Sequence, residues 1–466
     1  MAIGAGSAGL SISLSMNKLG FKTLLIDKDE NNIGGDCLNT GCVPSKALIH
    51  ISRLVSDARK ASEFGLNISG KVDIDKVMKY ISDKQEIIRD HENADYFRKE
   101  GLDVVIGEAR FNSTNSLVVN DKPYTAKRYV IATGSKPKEL QLPGIDNIQS
   151  FTNEDVFDLN ELPKNMIVIG AGPIGLELGQ AFSRLGVNIS IVDIADRILP
   201  KEDAEIADIL KEQLESEGIS FYLKAHPKEV TDRRELIIEK EGSARKLPCD
   251  AILFAIGRTL NHNGLDLEKA QVKIEGGKIW TNKYLRTSNK RVYVCGDAVG
   301  SLQFSHGAEL HARIILNNFF SPLKKKLTYK NFSWVTFTDP EVATFGWSQS
   351  DLEQSGTPFE RLELDFKDDD RAIVDNYQYG QLILFVEKTN FIRRNPKVLG
   401  GSIIAPGAGE ICQELVLANS SGIRLDSFFN KIYSYPTASR VNQAIVVNKK
   451  MTEITPSVKK MLKIIY

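Results

Sequence analysis

A glycine-rich hexapeptide occurs twice in this chain and constrains the fold more than any other feature. The first copy, GAGSAG, occupies residues 4–9, and the second, GAGPIG, occupies residues 170–175, so their starts lie 166 residues apart. Each copy precedes a helical pattern and then an apolar run ending in an aspartate, Asp27 or Asp193, 23 residues after the first glycine. This order of strand, glycine turn, helix, strand and acid predicts a dinucleotide-binding βαβ unit.

The residue types in this pattern fit that function. Glycines let the backbone approach a pyrophosphate, the helix N-terminus offers amide donors and a positive dipole, and the acid bonds ribose hydroxyls. A single copy is weak support, because a glycine-rich loop alone accounts for it, whereas two matched copies favour two bound dinucleotides. Only three residues precede Gly4, which is short for a central strand, so we expect the start to be truncated or misassigned.

Composition excludes several classes of protein. The 466 residues predict about three domains, and 60 basic against 60 acidic residues argue against a nucleic-acid or anionic-membrane partner. Apolar runs are strand-sized, well below the about 20 residues of a membrane span. Five cysteines and no basic-then-apolar leader predict a reducing, cytoplasmic location. We expect an α/β protein with an α+β region after about residue 330.

Two cysteines, Cys37 and Cys42, lie between the first acid and a helix that opens with proline. In a regular helix, residues five apart have Cα atoms about 8.7 Å apart, beyond disulfide range, so a bonded pair requires a distorted segment. The pair has the pattern of a redox site, and two unrelated thiols or a structural metal site are the alternatives. A metal site is disfavoured, because the other three cysteines are isolated and no histidine has finger-like spacing.

The cysteine segment at residues 34–46, GGDCLNTGCVPSK, resembles the redox motif of the flavin-dependent pyridine nucleotide–disulfide oxidoreductases. This is the family of dihydrolipoamide dehydrogenase, glutathione reductase and mercuric reductase, and the resemblance extends to residues 132–134, 255–258, 295–298 and 337–341. It implies two Rossmann-like domains, one for FAD and one for NAD(P), and a C-terminal α+β dimerisation domain. The implied segments are 1–150 (FAD, first part), 151–265 (NAD(P)), 266–330 (FAD and central, second part) and 331–466 (dimerisation).

The resemblance also implies roles for individual residues. It pairs Cys37 with Cys42 in a redox-active disulfide, with Cys42 the thiolate stacked on the flavin and Cys37 the outer thiol that attacks a substrate disulfide. Lys46 would lie beside the flavin with Glu177 as its ion partner. FAD is expected on Gly4, Gly6, Gly9, Asp27 and Asp297, and the nicotinamide cofactor on Gly170, Gly172, Gly175 and Asp193. Further expected cofactor-binding residues are Gly35, Asp36, Thr133, Gly134, Gly257, Arg258, Gly296 and Ala298.

The acid at Asp193 favours NADH, because a 2′-phosphate prefers a cation there, although Arg197 is near enough in sequence to leave NADPH open. The chain departs from the family where disulfide reductases carry a histidine and a glutamate as acid/base pair, donated across the dimer. The matching stretch, residues 435–440, is YPTASR, and Tyr435 is a poor base at neutral pH. His306 is a candidate substitute, with a histidine bonded to backbone or flavin edge as the alternative.

We therefore expect a homodimeric FAD enzyme that reduces a small-molecule disulfide or related acceptor with NADH and binds no metal. Three alternatives stay open. One is a dihydrolipoamide dehydrogenase running in the opposite direction, and another is a flavin redox sensor that turns over poorly. The third is a mercuric reductase, which is disfavoured because residues 441–466 lack the vicinal cysteine pair of that class.

Overall fold

The structure is a computed structural model that describes residues 1–389, 395–454 and 456–465. The chain divides into two compact units. Unit 1 comprises Met1–Gly170, Arg184–Asn188 and Pro227–Leu327, and unit 2 comprises Ala171–Ser183, Ile189–His226 and Thr328–Tyr466. The four segments expected from the sequence are not tested by this division and stay a prediction.

The helices of the described residues include none long and apolar enough to span a membrane. In chain order they are α1 (Ser7–Lys18), α2 (Gly35–Asn39), α3 (Cys42–Lys60), α4 (Ile74–Arg89), α5 (Ala94–Lys99), α6 (Pro173–Leu185), α7 (Ala204–Ser216), α8 (Ser305–Phe320), α9 (Gln349–Gln354), α10 (Asp370–Val374), α11 (Ala408–Ile411), α12 (Gln413–Ser421), α13 (Leu425–Asn430), α14 (Val441–Thr452) and α15 (Pro456–Ile465).

The strands of the same residues, in chain order, are β1 (Ala2–Ile3), β2 (Leu24–Asp27), β3 (Asp103–Ile106), β4 (Ala109–Ser113), β5 (Ser116–Val119), β6 (Lys122–Thr125), β7 (Tyr129–Ile131), β8 (Ser135–Pro137), β9 (Gln149–Phe151), β10 (Asn165–Ile169), β11 (Asn188–Asp193), β12 (Ser220–Leu223), β13 (His226–Val230), β14 (Glu235–Lys240), β15 (Ser243–Pro248), β16 (Ala251–Phe254), β17 (Arg258–Leu260), β18 (Ile274–Glu275), β19 (Lys278–Ile279), β20 (Val292–Val294), β21 (Ser333–Thr336), β22 (Glu341–Gly346), β23 (Phe359–Asp365), β24 (Gln381–Glu387) and β25 (Val398–Ala405).

Unit 1 is built on a five-stranded parallel sheet in the order β20-β7-β1-β2-β3. Strand β1 has only two residues, yet it is central, with Ile3 paired to Ile26 on one side and Ile131 on the other. Strands β1, β7 and β20 are wholly buried, whereas the outer strand β3 is partly exposed. Because β20 follows the other strands by some 160 residues of chain, two distant segments complete one sheet.

Smaller elements surround this sheet. Strands β4, β5 and β6 form an antiparallel meander, and β8 pairs with β17 in an antiparallel ribbon. Unit 1 also holds the parallel strands β9, β16 and β10, with β16 in the middle. The glycine turn at residues 170–175 follows β10 directly.

Unit 2 contains the parallel pair β11 and β12 and a five-stranded antiparallel sheet in the order β21-β22-β25-β24-β23. Leu382, Leu384 and Ile403 of that sheet pack in a core with Leu415 of α12 and Ile445 of α14. The antiparallel sheet with helices on it forms the α+β region expected after about residue 330. Parallel sheets, helices and this region together confirm the predicted α/β class.

Candidate functional site

Four predicted motifs meet at one edge of the first sheet in unit 1. Residues 4–9 follow β1, Asp27 ends β2, residues 132–134 follow β7, and residues 295–298 follow β20. These strands are parallel, so their carboxyl ends lie side by side. In open α/β sheets, ligands bind at this edge.

Two glycines of the first turn, Gly4 and Gly9, have no room for a side chain. Gly4 has φ +107°, and a Cβ there would lie 2.3 Å from the Ala132 carbonyl oxygen. A Cβ at Gly9 would lie 1.8 Å from the Gly4 carbonyl oxygen, and one at Gly35 would lie 2.5 Å from the Gly6 Cα. The turn leads into α1, whose N-terminus has no side-chain cap, so its amide groups remain available. This is a backbone cradle suited to an anionic group.

The two aspartates that follow the glycine turns make the same hydrogen bonds. In unit 1, Asp27 accepts the Ala5 N–H at 2.6 Å and the Asp29 N–H at 3.3 Å. In unit 2, Asp193 accepts the Ala171 N–H at 2.6 Å and the Ala195 N–H at 2.7 Å. The internal repeat therefore extends from sequence to hydrogen bonding, with each carboxylate joining a glycine turn to a strand end. Burial raises the pKa of Asp27 against these hydrogen bonds.

The two cysteines lie on separate helices. Cys37 is in α2, which ends at Asn39, and Cys42 is the first residue of α3. Gly41 has φ −120° and ψ −108°, so no regular helix connects the cysteines, as a bonded pair would require. A Cβ at Gly41 would lie 2.8 Å from two oxygen atoms of Asp36. Both sulfurs are free thiols in this structure, and the disulfide pairing stays a prediction.

Helix α4 holds this break in place, through residues that the sequence analysis did not identify. Gln85 donates from Nε2 to the carbonyl oxygens of Leu38 at 2.9 Å and Asn39 at 2.7 Å. Arg89 donates to the Asn39 side-chain oxygen at 2.8 Å. The Asn39 amide in turn donates to the Gly35 carbonyl at 2.9 Å. These hydrogen bonds fix the backbone that carries both sulfurs.

The two thiols have opposite proton affinities. A hydrogen bond from Cys37, with smaller effects of the Ser305 hydroxyl and the Lys46 ammonium, lowers the pKa of Cys42 to about 6 against burial and Asp36. The hydrogen bond to Cys42 and burial raise the pKa of Cys37 above its usual value. The first proton therefore leaves Cys42, which also lies at the N-terminus of α3, a position that favours a thiolate. The Ser305 Oγ is 3.5 Å from the Cys42 Sγ.

Arg258 connects the cysteine segment to the end of β20. Its guanidinium lies 3.3 Å from the Asp36 carboxylate and 3.9 Å from that of Asp297. It also donates to the Ser135 hydroxyl at 2.7 Å and carbonyl at 2.9 Å, while Ser135 donates to Asp297 at 2.6 Å. Asn153 donates to Asp36 at 3.2 Å. Two carboxylates therefore share one largely buried cation, and burial raises the pKa of Asp297.

The remaining residues predicted to bind FAD or NAD(P) make local structural contacts. Gly134 and Gly257 have φ +69° and +100°, and the Thr133 hydroxyl donates to the Asn261 carbonyl. Gly296 packs on α1, since a Cβ there would lie 2.9 Å from the Ala8 Cβ. Ala298 is buried in the core of unit 1.

The second glycine turn is less crowded than the first. Gly170 has φ +118°, and a Cβ there would lie 2.4 Å from the Ala255 carbonyl oxygen. In unit 2, nothing lies within 4 Å of a Cβ built at Gly172, and Gly175 is in the first turn of α6. The Arg197 guanidinium donates to the carbonyl oxygens of Glu202 at 3.0 Å and Pro200 at 2.8 Å.

The predicted acid/base residues are distributed over both units. Lys46 lies one turn after the start of α3 in unit 1, whereas Glu177 lies in unit 2, where it accepts the Phe337 N–H at 2.8 Å. The Lys46–Glu177 ion pair stays a prediction. Tyr435, exposed in unit 2, donates from its hydroxyl to Asp370 at 3.1 Å, and this hydrogen bond raises the pKa of Tyr435.

The two histidines of α8 differ in environment. His306 is exposed in the first turn, with its ring centroid 5.4 Å from that of Phe304. His311 is fully buried and accepts the Gly296 N–H on Nδ1 at 3.2 Å, and burial lowers its pKa to about 4. Among residues 1–389, 395–454 and 456–465, no three His, Cys, Asp or Glu side chains are grouped to hold a metal ion.

The chain matches two family models and resembles known proteins in sequence and in fold. The family model described as pyridine nucleotide-disulphide oxidoreductase matches residues 1–312, and the model of its dimerisation domain matches residues 332–445. The dihydrolipoyl dehydrogenase of Buchnera aphidicola subsp. Schizaphis graminum is 34% identical over 452 residues, 94% of this chain and 92% of that protein. The mercuric reductase of Staphylococcus aureus is 29% identical over 442 residues, 94% of this chain and 80% of that protein.

Solved structures with the same fold include the HOCl-induced flavoprotein disulfide reductase RclA from Escherichia coli and LpdA from Mycobacterium tuberculosis. Each has a TM-score of 0.83 and 24% identity, and each comparison covers 96% of this chain, with 98% of RclA and 99% of LpdA. At this identity the likeness supports the fold.

Proposed function

Because the chain belongs to the FAD-dependent pyridine nucleotide-disulphide oxidoreductases, we propose that it transfers electrons from NADH, through FAD, to a Cys37–Cys42 disulfide. The electrons then pass to an external disulfide or related acceptor. The observation that carries this proposal is the setting of the Cys42 sulfur, which lies at the N-terminus of α3 and 3.5 Å from the Ser305 hydroxyl. The hydrogen bond from Cys37, the Ser305 hydroxyl and the Lys46 ammonium together lower the pKa of Cys42 to about 6. At pH 7 its sulfur is mostly thiolate, whereas an ordinary cysteine with pKa about 8.5 is mostly thiol.

The residues at the edge of the first sheet fit FAD. The cradle at Gly4, Gly6 and Gly9 has no room for a side chain at Gly4 or Gly9, and the amide groups at the start of α1 are suited to a pyrophosphate. Asp27 ends β2 and Asp297 follows β20 by three residues, and we propose that their carboxylates accept hydroxyls of the ribose and of the ribityl chain. When bound there, FAD supplies two-electron transfer between a nicotinamide and a disulfide.

The thiol chemistry is carried by the chain's own residues. In the dithiol, Cys37 gives up its proton as its sulfur attacks one sulfur of the substrate disulfide and forms a mixed disulfide. The displaced sulfur takes up a proton and leaves as the first thiol. The Cys42 thiolate then attacks the Cys37 sulfur, releases the second thiol and restores the Cys37–Cys42 bond. Over one cycle, NADH, one proton and one disulfide give NAD⁺ and two thiols, so electrons and protons balance.

The contacts of the second acid favour NADH. Asp193 places a negative charge at the end of β11, where it would repel a 2′-phosphate and accept ribose hydroxyls. The Arg197 guanidinium is occupied by the carbonyl oxygens of Pro200 and Glu202, so it offers little to a phosphate. We expect a kcat/KM ratio for NADH over NADPH of at least about tenfold. Asp193→Ser should reduce that ratio, and a wild-type preference for NADPH would contradict the assignment.

Tyr435 bears on the choice of acceptor. Its hydroxyl is committed to Asp370, and the raised pKa makes the phenol a donor and a poor base. Efficient lipoamide or glutathione turnover is therefore not expected, even though a relative is a dihydrolipoyl dehydrogenase. The dimerisation-domain match favours a homodimer, and light scattering on the purified holoenzyme measures its mass.

Anaerobic titration with NADH tests the central proposal. We expect the visible spectrum to gain a long-wavelength charge-transfer band, which arises from the Cys42 thiolate as donor and the flavin as acceptor. Cys42→Ser removes the thiolate and should abolish the band, whereas Cys249→Ser, at a buried cysteine outside the site, should retain it. Flavin bleaching without such a band in the wild-type protein would refute the electron path to sulfur.

Steady-state assays separate the alternatives. Lipoamide, glutathione disulfide and mercuric ion are offered as acceptors with NADH as donor. Robust lipoamide turnover would overturn our interpretation of Tyr435 and favour a dihydrolipoamide dehydrogenase. Reduction by NADH without turnover of any acceptor would favour a redox sensor.

A further inference from the structure

A hydroxyl group far away in sequence contacts the dithiol. Ser305 is the first residue of α8, and its Oγ lies 3.5 Å from the Cys42 Sγ, although 263 residues separate them. Neither the sequence motifs nor the family resemblance points to this residue. Either atom of the contact can be the donor, so the direction of the hydrogen bond has a measurable consequence.

The position of Ser305 is fixed by the packing of α8. Ala308 and Ala312 of this helix lie in one core cluster with Ala8 and Ile12 of α1. On the same helix, His311 accepts the Gly296 N–H at 3.2 Å, which joins α8 to the loop at the end of β20. Because these contacts hold α8, the Ser305 hydroxyl stays in position beside Cys42 and no mobile segment has to become ordered first.

The charge distribution around Cys42 favours donation by Ser305. Cys42 begins the 19-residue α3 and Ser305 begins the 16-residue α8, so two helix N-termini meet at one sulfur. Neither helix has a side-chain cap or an acidic residue in its first turn. The carboxylate near the start of α3 is that of Asp36, and it disfavours the Cys42 thiolate less than Cys37, Ser305 and Lys46 favour it. A thiolate in this setting is a better acceptor than the serine oxygen.

We propose that Ser305 is a catalytic residue whose hydroxyl donates a hydrogen bond to the Cys42 thiolate and stabilises it relative to the thiol. This inference rests on the proposed use of Cys42 as the thiolate of the dithiol. The other charged or titratable groups around this sulfur are Cys37, Lys46 and Asp36, with His306 next in the chain. Cys37 and Lys46 act in the same direction as Ser305, and Asp36 opposes them.

The test compares Ser305→Val with Ser305→Thr, two variants of nearly equal shape of which only threonine keeps the hydroxyl. Each protein is reduced with dithiothreitol, freed of reductant and alkylated with iodoacetamide between pH 4.5 and 9. Mass spectrometry of the Cys42 peptide gives the rate at that residue. Ser45→Ala is the matched control, because the Ser45 hydroxyl bonds the Cys42 carbonyl oxygen at 3.3 Å and not the sulfur.

Loss of the hydroxyl should raise the pKa of Cys42 and so slow its alkylation at pH 5 by about five- to tenfold, with little change at pH 9. Ser305→Thr and Ser45→Ala should follow the wild-type profile. An unchanged profile in Ser305→Val overturns the proposal, and so does a faster rate at pH 5, since that result makes the thiol the donor. The proposal is also overturned if Ser305→Thr shows the same altered pH profile of alkylation as Ser305→Val.

A second measurement is the equilibrium of the Cys37–Cys42 couple with glutathione. A less stable thiolate weakens the reduced form, so Ser305→Val should shift the equilibrium constant toward the disulfide by about three- to tenfold. An unshifted constant contradicts the proposal. Both measurements use chemical reductants, so they stand even if NADH fails to reduce the protein and the proposed function is wrong.

Discussion

Replacing Arg258 with glutamine removes the cation that Asp36 and Asp297 share. The Arg258 side chain is only 9% exposed, so water does not readily take the place of its contacts. The substitution deletes the hydrogen bonds to the Ser135 hydroxyl at 2.7 Å and carbonyl at 2.9 Å. It also leaves Asp297 without its nearby positive charge, at the end of β20 where burial already raises the pKa of this carboxyl.

The contacts set the size of the effect. A hydrogen bond from a charged donor contributes about 1.5 kcal/mol or more, so the two bonds to Ser135 amount to about 3 kcal/mol. The pair with Asp36 adds at most about 1 kcal/mol, because the Asp36 side chain is 43% exposed and solvent screens it. We therefore expect Arg258→Gln to lower the free energy of unfolding by about 3–4 kcal/mol.

The sign of the pH dependence follows from Asp297. A carboxyl with a raised pKa in the folded state favours folding at low pH, and that contribution is lost as the pH rises through the raised pKa. Without Arg258 this pKa rises further, so the deficit of the variant should be larger at pH 8 than at pH 5. Urea titrations of both proteins at the two pH values, followed by circular dichroism, measure the difference.

The control is Arg110→Gln, at an exposed ion pair with Glu108 of 3.8 Å, and we expect a change below about 0.5 kcal/mol. Arg258→Lys keeps the charge but not the planar fork, and should fall between wild type and glutamine. A loss below about 1 kcal/mol at pH 8 would refute the reasoning. A deficit larger at pH 5 than at pH 8 would do the same.

Three further outcomes are expected. Gly9→Ala should destabilise the protein by about 3 kcal/mol and lower its FAD content, because the added Cβ would lie 1.8 Å from a carbonyl oxygen. Gly172→Ala, where nothing lies within 4 Å of the added Cβ, should have the melting temperature of the wild type. The pKa of His311 is lowered to about 4, so the neutral imidazole stabilises the fold fully above pH 6.5, its ordinary pKa. The free energy of unfolding should fall by about 2 kcal/mol as the pH falls from 7 to 5. The urea midpoints of wild type and His311→Gln should therefore converge at pH 5. Tyr435→His should raise lipoamide-dependent NADH oxidation about tenfold or more by supplying an imidazole, while Tyr435→Phe should stay at the wild-type rate, and equal rates in both would contradict this account.

Local patterns in the sequence predicted the cradle well. The repeated glycines and the acids 23 residues later require only short-range geometry, and both reappear as glycine turns bonded to Asp27 and Asp193. The helix break between Cys37 and Cys42 also follows from local constraints, since Gly41 has no room for a side chain beside Asp36.

Contacts that depend on tertiary packing were beyond the sequence. The sequence points to His306 as a titratable base, whereas the group in contact with Cys42 is the hydroxyl of Ser305, one residue earlier, and a lone serine carries no sequence signal for such a contact. Gln85 of α4 donates hydrogen bonds to the backbone between the two cysteines, and a glutamine carries no sequence signal for this function. The sharing of Arg258 between Asp36 and Asp297 depends on where β17 and β20 lie, which no local pattern specifies.

The place of β20 in the first sheet has a consequence for how the protein is made. Strands β1, β2, β3 and β7 are complete once residue 131 has been synthesised, but their outer partner arrives only with residues 292–294. At about 5–20 residues per second, the ribosome leaves the edge of β7 uncovered for on the order of ten seconds. During that interval the nascent chain presents an unpaired strand to its surroundings, and a chaperone able to cover it would improve the yield of active enzyme.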